Sequence, residues 1–336
     1  MKAILIIFMS MIAVLSGCTK ENKNIGQGSN KDLTIQNGDR VLSFQKEPQR
    51  LLTLRQHITE TALELELDKY IVGSSDVIDP PVAVHLQKRY SQLPIIAEKY
   101  PSPEILIAAE PDIIWVDRKW AFVKNQLGSM QNIEKHGIKV YLSEGGYHDG
   151  SKLEYVYDDL RNMGKIFGKS ERAEVLCNQM QEKVKSVEKK IGSISQKPKV
   201  LDFDSARNNL AFVGCRCMAD DLIRLAGGEN IFNDIDKEWA SVNWEEVVKR
   251  NPDVIIIHEY RGVSGASKIA QLKANPLLQE INAVKNNRFI IINLDEVYEG
   301  VRNAETVEKF AQGFYPEKGS PSKAVAGALT FVWSVL

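Results

Sequence analysis

The sequence lacks the features that mark several large classes of protein. Its 336 residues include 43 Lys and Arg against 44 Asp and Glu, and this balance argues against nucleic acid as a partner. It contains no G-x-S-x-G elbow, no P-loop and no G-x-G-x-x-G after a strand, so these common enzyme motifs are missing. Its five histidines form no H-x-H or H-x-x-x-H pair, which weakens the case for a bare metal-ion site.

Long apolar runs are also missing. Residues 3–15 are almost entirely apolar but are too few to span a bilayer, and the apolar stretch within residues 316–336 is likewise short of about 20 residues. We expect the tail 316–336, whose role the sequence does not indicate, to be a final helix packed on the body rather than a second membrane anchor.

The amino terminus carries an export signal. Met1 and Lys2 precede the apolar run, and the small residues Ser16 and Gly17 follow it, as in a secretory signal peptide. Leu15-Ser16-Gly17-Cys18 resembles a bacterial lipobox, in which the cysteine is acylated; the alternative is an ordinary signal peptide with a chance cysteine. We therefore expect a lipid on Cys18 to hold the protein at the outer face of the cytoplasmic membrane, after a signal peptide at 1–18. The polar residues 19–36 predict a flexible tether.

The other cysteines are few and give weak signals. Cys177 lies in a helical pattern and is expected to be a shielded thiol. Cys215 and Cys217 form a C-x-C, which in an exported protein is compatible with a strained disulfide, a metal-ligand pair or two thiols.

Short, continuous apolar runs alternate with helix-like stretches along the body. Such runs are typical of strands buried on both faces of a parallel sheet, and strand–helix alternation predicts an α/β fold. SPEILIAAEPDIIWV in the first half and VNWEEVVKRNPDVIIIH in the second share the order helix, Pro-Asp, strand. The predicted architecture is two Rossmann-like lobes with parallel sheets, joined by one long helix, with a ligand cleft between them. The predicted boundaries are 37–168 for the first lobe, 169–192 for the linking helix (Ser170 as N-cap, Gly192 as its stop) and 193–315 for the second lobe.

Seven stretches in order carry a family resemblance. They are RLLTL with ITETALELELDKYIVGSSD, YPSPEILIAAEPDIIWV, IEKHGIKVYLS, DDLRNMGKIFGKSERAE, DDLIRLAGGENIF, VNWEEVVKRNPDVIIIH and VKNNRFIIIN. Together they resemble the substrate-binding proteins of ABC importers for ferric siderophores, haem and cobalamin. The hydroxyl-rich stretch usual after the first strand is replaced here by LRQHITE.

The resemblance implies a non-enzymatic protein, expected to be a monomer. It would capture a small-molecule iron complex and deliver it to an ABC permease and its ATPase. It also implies one exposed glutamate on each lobe that pairs with permease arginines, and the matching positions are Glu104 and Glu245. Both also suit a helix N-terminus, where a carboxylate interacts favourably with the helix dipole.

Ligands of open α/β sheets bind beyond the carboxyl ends of the strands, so residues that follow the apolar runs are the candidates for the cleft. Arginines there suit carboxylates or phosphates, and aromatic rings suit a flat ligand. A ferric siderophore-type complex is the expected ligand, with haem or cobalamin as alternatives. The predicted ligand contacts are Arg55, His57, Arg118, Trp120, Tyr147, Arg216, Tyr260, Arg261, Tyr298 and Arg302.

The histidines support a competing hypothesis. His57, His148 and His258 follow or end predicted strands, with carboxylates nearby in sequence, and could together bind bare zinc or manganese. A histidine or tyrosine could also ligate haem iron. The absence of close histidine spacing leaves the bare-ion hypothesis second, and His258 alone is more typical of a core histidine.

Overall fold

The computed structural model describes residues 32–75, 82–124 and 126–319, which form two α/β lobes joined by a long helix. The predicted signal peptide with Cys18, the predicted tether up to residue 31 and the tail from residue 320 lie outside the described residues. Within those residues, no helix is both long and apolar enough to cross a membrane.

The first lobe begins with a hairpin that the sequence analysis assigned to the tether. Strands β1 (Leu33–Asn37) and β2 (Arg40–Phe44) pair antiparallel around Gly38, and every second side chain is buried. The prediction of a tether through residue 36 is therefore wrong for its last residues, because the alternation in LTIQN buries Ile35 against the body.

The first sheet is parallel throughout, as predicted. Its strand order is β5-β4-β3-β6-β7, so the chain starts in the middle of the sheet and winds to both edges. The central strands are fully buried, which explains their continuous apolar sequence. The elements are β3 (Leu51–Leu54), α1 (Gln56–Glu64), β4 (Ile71–Ser75), α2 (Gln87–Tyr90), β5 (Ile95–Ala97), α3 (Pro103–Ala108), β6 (Ile113–Val116), α4 (Met130–Glu134) and β7 (Lys139–Leu142).

Two helices lead from the first lobe to the second. Helix α5 (Leu153–Ile166) ends before Gly168, which has a φ of 61°, and α6 (Ser170–Ile191) makes the long connection. Gly192 is the C-cap of α6, as predicted, with a φ of 59°. Ser170 was predicted to be the N-cap of α6. The structure makes Ser170 the first helical residue and Lys169 the N-cap.

The second sheet is mixed, and this differs from the two parallel sheets predicted. β10, β8, β12 and β13 are parallel, but β9 pairs antiparallel with β8 and β11 antiparallel with β9. A hairpin at Asn208 and Asn209, both with positive φ, sends β9 back along β8. The elements are β8 (Lys199–Arg207), β9 (Leu210–Gly214), α7 (Met218–Leu225), β10 (Glu229–Asn230), β11 (Trp239–Val242), α8 (Trp244–Arg250), β12 (Val254–Glu259), α9 (Gly265–Ala274), α10 (Asn282–Lys285), β13 (Phe289–Asn293), α11 (Asn303–Phe314) and α12 (Pro316–Gly319).

The aspartates of the two Pro-Asp turns make equivalent hydrogen bonds in the two lobes. Asp112 accepts hydrogen bonds from the backbone N–H groups of Gln49 and Arg50, which lead into β3, at 2.7 and 3.1 Å. Asp253 accepts from the N–H of Lys199 at the start of β8, at 2.9 Å. Each aspartate thus ties the entry of its own strand to the entry of the neighbouring strand.

The segment 294–302 of the second lobe lies against the first. A Cβ on Gly300 would come within 3.2 Å of Thr61 Oγ1 and 3.5 Å of the carbonyl oxygen of His57, both in α1. This close approach places Asp295, Glu299 and Arg302 beside charged or titratable side chains of the first lobe.

Candidate functional site

A cavity of about 420 Å³, called here the cleft cavity, lies between the lobes where the strands end. Its walls hold charged and aromatic side chains from both lobes, as expected at strand carboxyl ends. Arg55, Arg118 and Trp120 come from the first lobe, and Asp204, Arg207, Phe212, Glu238, Trp239, Tyr260, Arg261, Leu294 and Tyr298 come from the second.

Arg55 stands between β3 and α1 in an unusual backbone conformation, with a φ of 98°. Non-glycine residues with positive φ are strained and concentrate at functional sites. Its Nη1 lies 3.0 Å from Asp117 Oδ2, and its guanidinium stacks 4.2 Å from the centre of the Tyr298 ring. Burial would raise the pKa of Asp117, but Arg55, His57 and Arg118 reverse that effect and lower it.

Arg118 connects the lobes. Its Nη2 lies 2.7 and 2.8 Å from the two carboxylate oxygens of Glu299, and Ser151 also donates to Glu299. Burial opposes the charge on Glu299, yet Arg118 and Ser151 hold its pKa below the usual value. Arg118 Nη2 is also 3.6 Å from Glu238, whose pKa burial raises.

His57 lies behind Tyr298 and does not line the cleft cavity, which corrects its prediction as a ligand contact. It is 2% exposed, and its ring stacks on Tyr298 with the ring centres 5.1 Å apart. Its nitrogens are 3.7 Å from carboxylate oxygens of Asp117 and Asp295. The first helix keeps this side chain inside because the first turn of α1 is buried on all sides.

The second lobe supplies a polar network behind its cavity wall. Tyr260 donates to Asp204 Oδ1 at 3.0 Å, and His258 Nε2 lies 2.6 Å from Asp202 Oδ1. His258 is fully buried, so it is a core histidine paired with an aspartate. Burial, and to a smaller extent the nearby negative charge of Asp204, raises the pKa of Tyr260 to about 12. Its phenol is therefore neutral at physiological pH.

The three histidines of the metal alternative are not brought together. His57 is buried beside α1, His258 is buried at the end of β12, and His148 is exposed, 3.1 Å from Glu144. The described residues contain no group of three or more His, Cys, Asp or Glu side chains able to hold a metal ion. The structure therefore does not assemble the three-histidine site of the bare zinc or manganese alternative.

A second cavity of about 290 Å³ adjoins the cleft cavity, and Arg118, Trp120 and Glu238 line both. The predicted contact Arg216 lies here, where its Nη1 is 2.5 Å from Asp236. Lys119 and Lys237 also line this cavity. Arg216 thus lies at the cleft but outside its aromatic part.

Two further predicted contacts lie elsewhere. Tyr147 packs on the β1–β2 hairpin, where its hydroxyl donates to Asn37 Oδ1 at 3.2 Å and its ring leaves no room for a Cβ at Gly38. Arg302 forms a two-point ion pair with Glu60 of α1, at 2.6 and 2.5 Å, and lines a groove beside α6 and α11. Tyr147 and Arg302 lie outside the cleft cavity for the same reason. The conformation of the loop that follows each strand sets the direction of the side chain.

Sequence reasoning missed several cavity-lining residues. Phe212 and Trp239 come from β9 and β11, the antiparallel strands that were not predicted. Their rings stack on each other with centres 5.7 Å apart. The alternation in LAFVG after Asn208-Asn209 was the available signal for this hairpin. Arg207 and Glu238 were missed with them.

Cys177, Cys215 and Cys217 are free and buried, and this agrees with the two-thiol alternative for the C-x-C pair. Cys217 Sγ lies 3.6 Å from Asp202 Oδ2, and Cys215 Sγ lies 3.8 Å from the carbonyl oxygen of Val213. Burial raises the pKa of Cys215 to about 12 and that of Cys177 to about 11.

Comparison with known proteins agrees with the observed architecture of two lobes, a linking helix and a cleft at the strand ends. The model of the periplasmic binding protein family matches residues 52–295. The chain belongs to this family. It is similar to the ABC transporter substrate-binding lipoprotein YvrC of Bacillus subtilis, with 24% identity over 296 residues, 87% of this chain and 85% of YvrC. As a periplasmic binding protein it is a substrate-binding transport component and not an enzyme.

Two further relatives support the assignment. The high-affinity haem uptake system protein IsdE of Staphylococcus aureus (strain Newman) is 25% identical over 248 residues, 72% of this chain and 80% of IsdE. The crystal structure of a periplasmic binding protein from Veillonella parvula superposes with a TM-score of 0.77 at 25% identity, covering 85% of this chain and 98% of that one. This periplasmic binding protein therefore has the two-lobed fold expected from its sequence.

Proposed function

We propose that this periplasmic binding protein is lipid-anchored and captures an anionic, ferric siderophore-type iron complex for an ABC permease. The observation that carries the proposal is the composition of the cleft cavity, which joins four arginines to five aromatic side chains. Its volume of about 420 Å³ falls within the range usual for small-molecule sites, roughly 300–1,000 Å³.

The aromatic side chains favour a ligand with flat groups. Trp239, Phe212, Tyr260 and Tyr298 line one lobe's wall, and Trp120, half exposed, faces them from the other. Flat rings bury large areas and stack on planar ligands. Catecholate groups of a siderophore would meet these walls, and the arginines would offset their negative charge.

Three of the four arginines differ in what already surrounds them. Arg118 pairs with Glu299, and Arg55 pairs with Asp117. Arg207 is mostly exposed, lies 3.9 Å from Asp204 and stacks on Phe212. We infer that Arg207, reached by solvent and seated on an aromatic ring of the wall, makes the first contact with the anion.

Haem is the second candidate, because a flat ring suits the same walls and a haem-uptake protein is among the relatives. Among the described residues no histidine lines the cleft cavity, so Tyr260 and Tyr298 are the lining residues able to ligate haem iron. Burial raises the pKa values of both phenols, so each is protonated in the ligand-free protein and would have to lose its proton to ligate iron.

Ligand titrations of the chain from residue 19 test these alternatives. Quenching of Trp120 and Trp239 would be followed with ferric catecholate, ferric hydroxamate, ferric citrate, haemin and cobalamin. We expect ferric catecholate to quench and to raise the unfolding temperature by mass action. Tight binding of haemin alone, with a shifted Soret band, would replace the proposal by the haem candidate. The variant W239A should weaken binding at least tenfold, while W244A, whose ring packs on Phe203 away from the cavity, controls for the loss of an indole.

The lipid anchor is proposed from the sequence around Cys18. We expect the full chain to label with radioactive palmitate and to fractionate with the membrane, and C18S to do neither. Label retained on C18S would contradict the anchor without touching the ligand proposal.

Permease docking is proposed for Glu104 and Glu245. Each occupies the second position of a short helix, behind the N-caps Ser102 and Asn243, and each is exposed. A hydrogen bond from Ser102 lowers the pKa of Glu104, so it is charged at neutral pH. Because the two glutamates occupy equivalent positions in the two lobes, they suit a partner that contacts both lobes simultaneously.

Charge reversal tests the docking proposal. E104K/E245K should abolish uptake while ligand affinity stays unchanged. E154K/E182K, which reverses two exposed glutamates on α5 and α6, is the control and should transport normally. Normal transport by E104K/E245K would reject the assignment.

A further inference from the structure

Lys268 of α9 is buried directly behind the second-lobe wall of the cleft cavity. It is only 5% exposed, which is rare for a lysine, and burial lowers its pKa. Its Nζ donates to the carbonyl oxygen of Asp204 at 2.5 Å and to that of His258 at 2.6 Å.

The two carbonyl groups belong to neighbouring strands at the point where those strands separate. β8 and β12 pair from Val200 and Val254 up to Phe203 and Ile257, and beyond that point β8 continues to pair only with β9, on its other edge. Beyond that point the carbonyl groups of Asp204 and His258 no longer have a partner on the opposite strand. Buried carbonyl groups need a donor, and the ammonium of Lys268 supplies it to both.

The same ammonium also contacts a ligand-facing side chain. Lys268 Nζ lies 4.5 Å from the centre of the Tyr260 ring, a cation–π distance. Tyr260 in turn donates to the Asp204 carboxylate, which Ser205 also contacts at 2.6 Å. Lys268, Asp204 and Tyr260 thus form one connected group, and two of its members line the cleft cavity.

The group explains how a buried carboxylate can face an anion. Asp204 is 5% exposed and would repel an anionic ligand in a site of low dielectric constant. A positive charge behind it offsets that repulsion. Arg207, 3.9 Å from the same carboxylate and mostly exposed, offsets part of this charge, and an uncharged side chain at position 268 would remove the buried part of the compensation.

We propose that Lys268 is the positioning residue of the cleft: it holds the separating ends of β8 and β12 together and offsets the charge of Asp204, so that the cavity accepts an anionic ligand. The second part rests on the proposed function; the first does not.

The first part is tested without ligand. In the chain from residue 19, K268M should raise amide hydrogen exchange at least tenfold in the segments 204–207 and 258–262. K273M, on the exposed face of the same helix, should leave both segments unchanged. K268Q, which keeps a neutral NH2 donor group on a shorter side chain, provides a second variant if K268M does not fold, and it should show an intermediate increase. Unchanged exchange in a folded K268M or K268Q would overturn the positioning role.

The second part is tested by titrating the variants with ferric catecholate and with haemin. K268M should lower affinity about tenfold, as loss of a buried cation near the ligand implies. D204N/K268M should recover most of that loss, because the charge to be offset is gone. Recovery would not follow from a merely structural role, so its absence would overturn the charge role. If the wild-type chain binds neither probe, the proposed function fails, and the exchange experiment still decides the positioning role.

Discussion

Arg118 and Glu299 lie in different lobes and form a buried two-point ion pair, with Nη2 at 2.7 and 2.8 Å from the two carboxylate oxygens. The side chains are 7% and 1% exposed. The Arg302–Glu60 pair makes a second buried contact of the same kind between the lobes. The arrangement of the two lobes therefore depends on charge pairs as well as on the linking helix.

The variant E299Q should be strongly destabilised. It removes the closest carboxylate from the buried Arg118 and leaves Glu238, 3.6 Å away; breaking a buried ion pair typically costs about 3–5 kcal/mol. Urea unfolding at pH 7 measures the loss. E308Q is the matched control, since the Lys190–Glu308 pair is a more exposed salt bridge and should contribute less than about 1 kcal/mol.

The pH dependence of E299Q gives an independent check. The pKa of Glu299 is lowered in the folded protein, so its contribution is present above the unfolded value and is lost as pH falls through the folded pKa. The difference in stability between wild type and E299Q should therefore shrink below about pH 4. A difference that persists at low pH would contradict the ion-pair explanation.

Asp159 should have the opposite effect on stability. Burial raises its pKa well above the usual range, although Tyr141 and the N–H of Glu144 donate to it at 2.8 and 2.9 Å. A carboxyl group with a raised pKa loses stabilising free energy as pH rises from the unfolded value through the folded one. D159N should therefore be more stable than wild type at pH 8. At pH 4 it should be no more stable than wild type.

Unfolding of D159N at both pH values tests this expectation. D39N, in an exposed turn, is the control and should change little at either pH. A gain in the stability of D159N that does not depend on pH would refute the explanation.

Asn37 should be essential for the edge of the first sheet. Its side chain mimics a strand, because Nδ2 donates to the carbonyl oxygen of Leu142 at 2.7 Å and Oδ1 accepts from its N–H at 3.1 Å. N37A leaves both backbone groups of β7 without partners, at a cost of about 1–3 kcal/mol each. Thermal unfolding should show the loss, whereas Q36A, next to it and exposed, should change little. Equal stability of the two variants would show that the hairpin does not depend on this contact.

The three thiols should resist modification in the folded protein. Burial raises the pKa values of Cys177, Cys215 and Cys217, so the reactive thiolate is scarce and poorly accessible. The chain from residue 19 should react with Ellman's reagent only in denaturant, releasing three equivalents. Rapid reaction of one or more thiols under native conditions would place them at the surface.

The sequence predicted the parts of the fold that depend on simple periodicity. Continuous apolar runs mark β3, β6, β7, β8 and β12 because these strands are largely covered on both faces, and a similar run marks β13 although this edge strand is partly exposed. Antiparallel β9 and β11 are partly exposed, so their shorter alternating patterns gave a weaker signal, and the cavity residues Phe212 and Trp239 were missed with them.

The site was predicted less completely for a different reason. Strand ends locate the cleft, and Arg55, Arg118, Trp120, Tyr260, Arg261 and Tyr298 line its cavity. The direction of a side chain after the strand depends on tertiary contacts that no local pattern encodes. Arg302 pairs with Glu60 and Tyr147 donates to Asn37, so neither side chain points into the cleft cavity. Both partners are distant in the sequence.

The segment 294–302 contributes both to the wall of the cleft cavity and to the contacts between the lobes. Leu294 and Tyr298 form part of the cavity wall, while Glu299 and Arg302 carry the buried contacts with the first lobe. A force that separates the lobes must therefore displace the surface on which the ligand rests. The spacing of the lobes and the shape of the cavity wall are thus set by one short stretch of the chain.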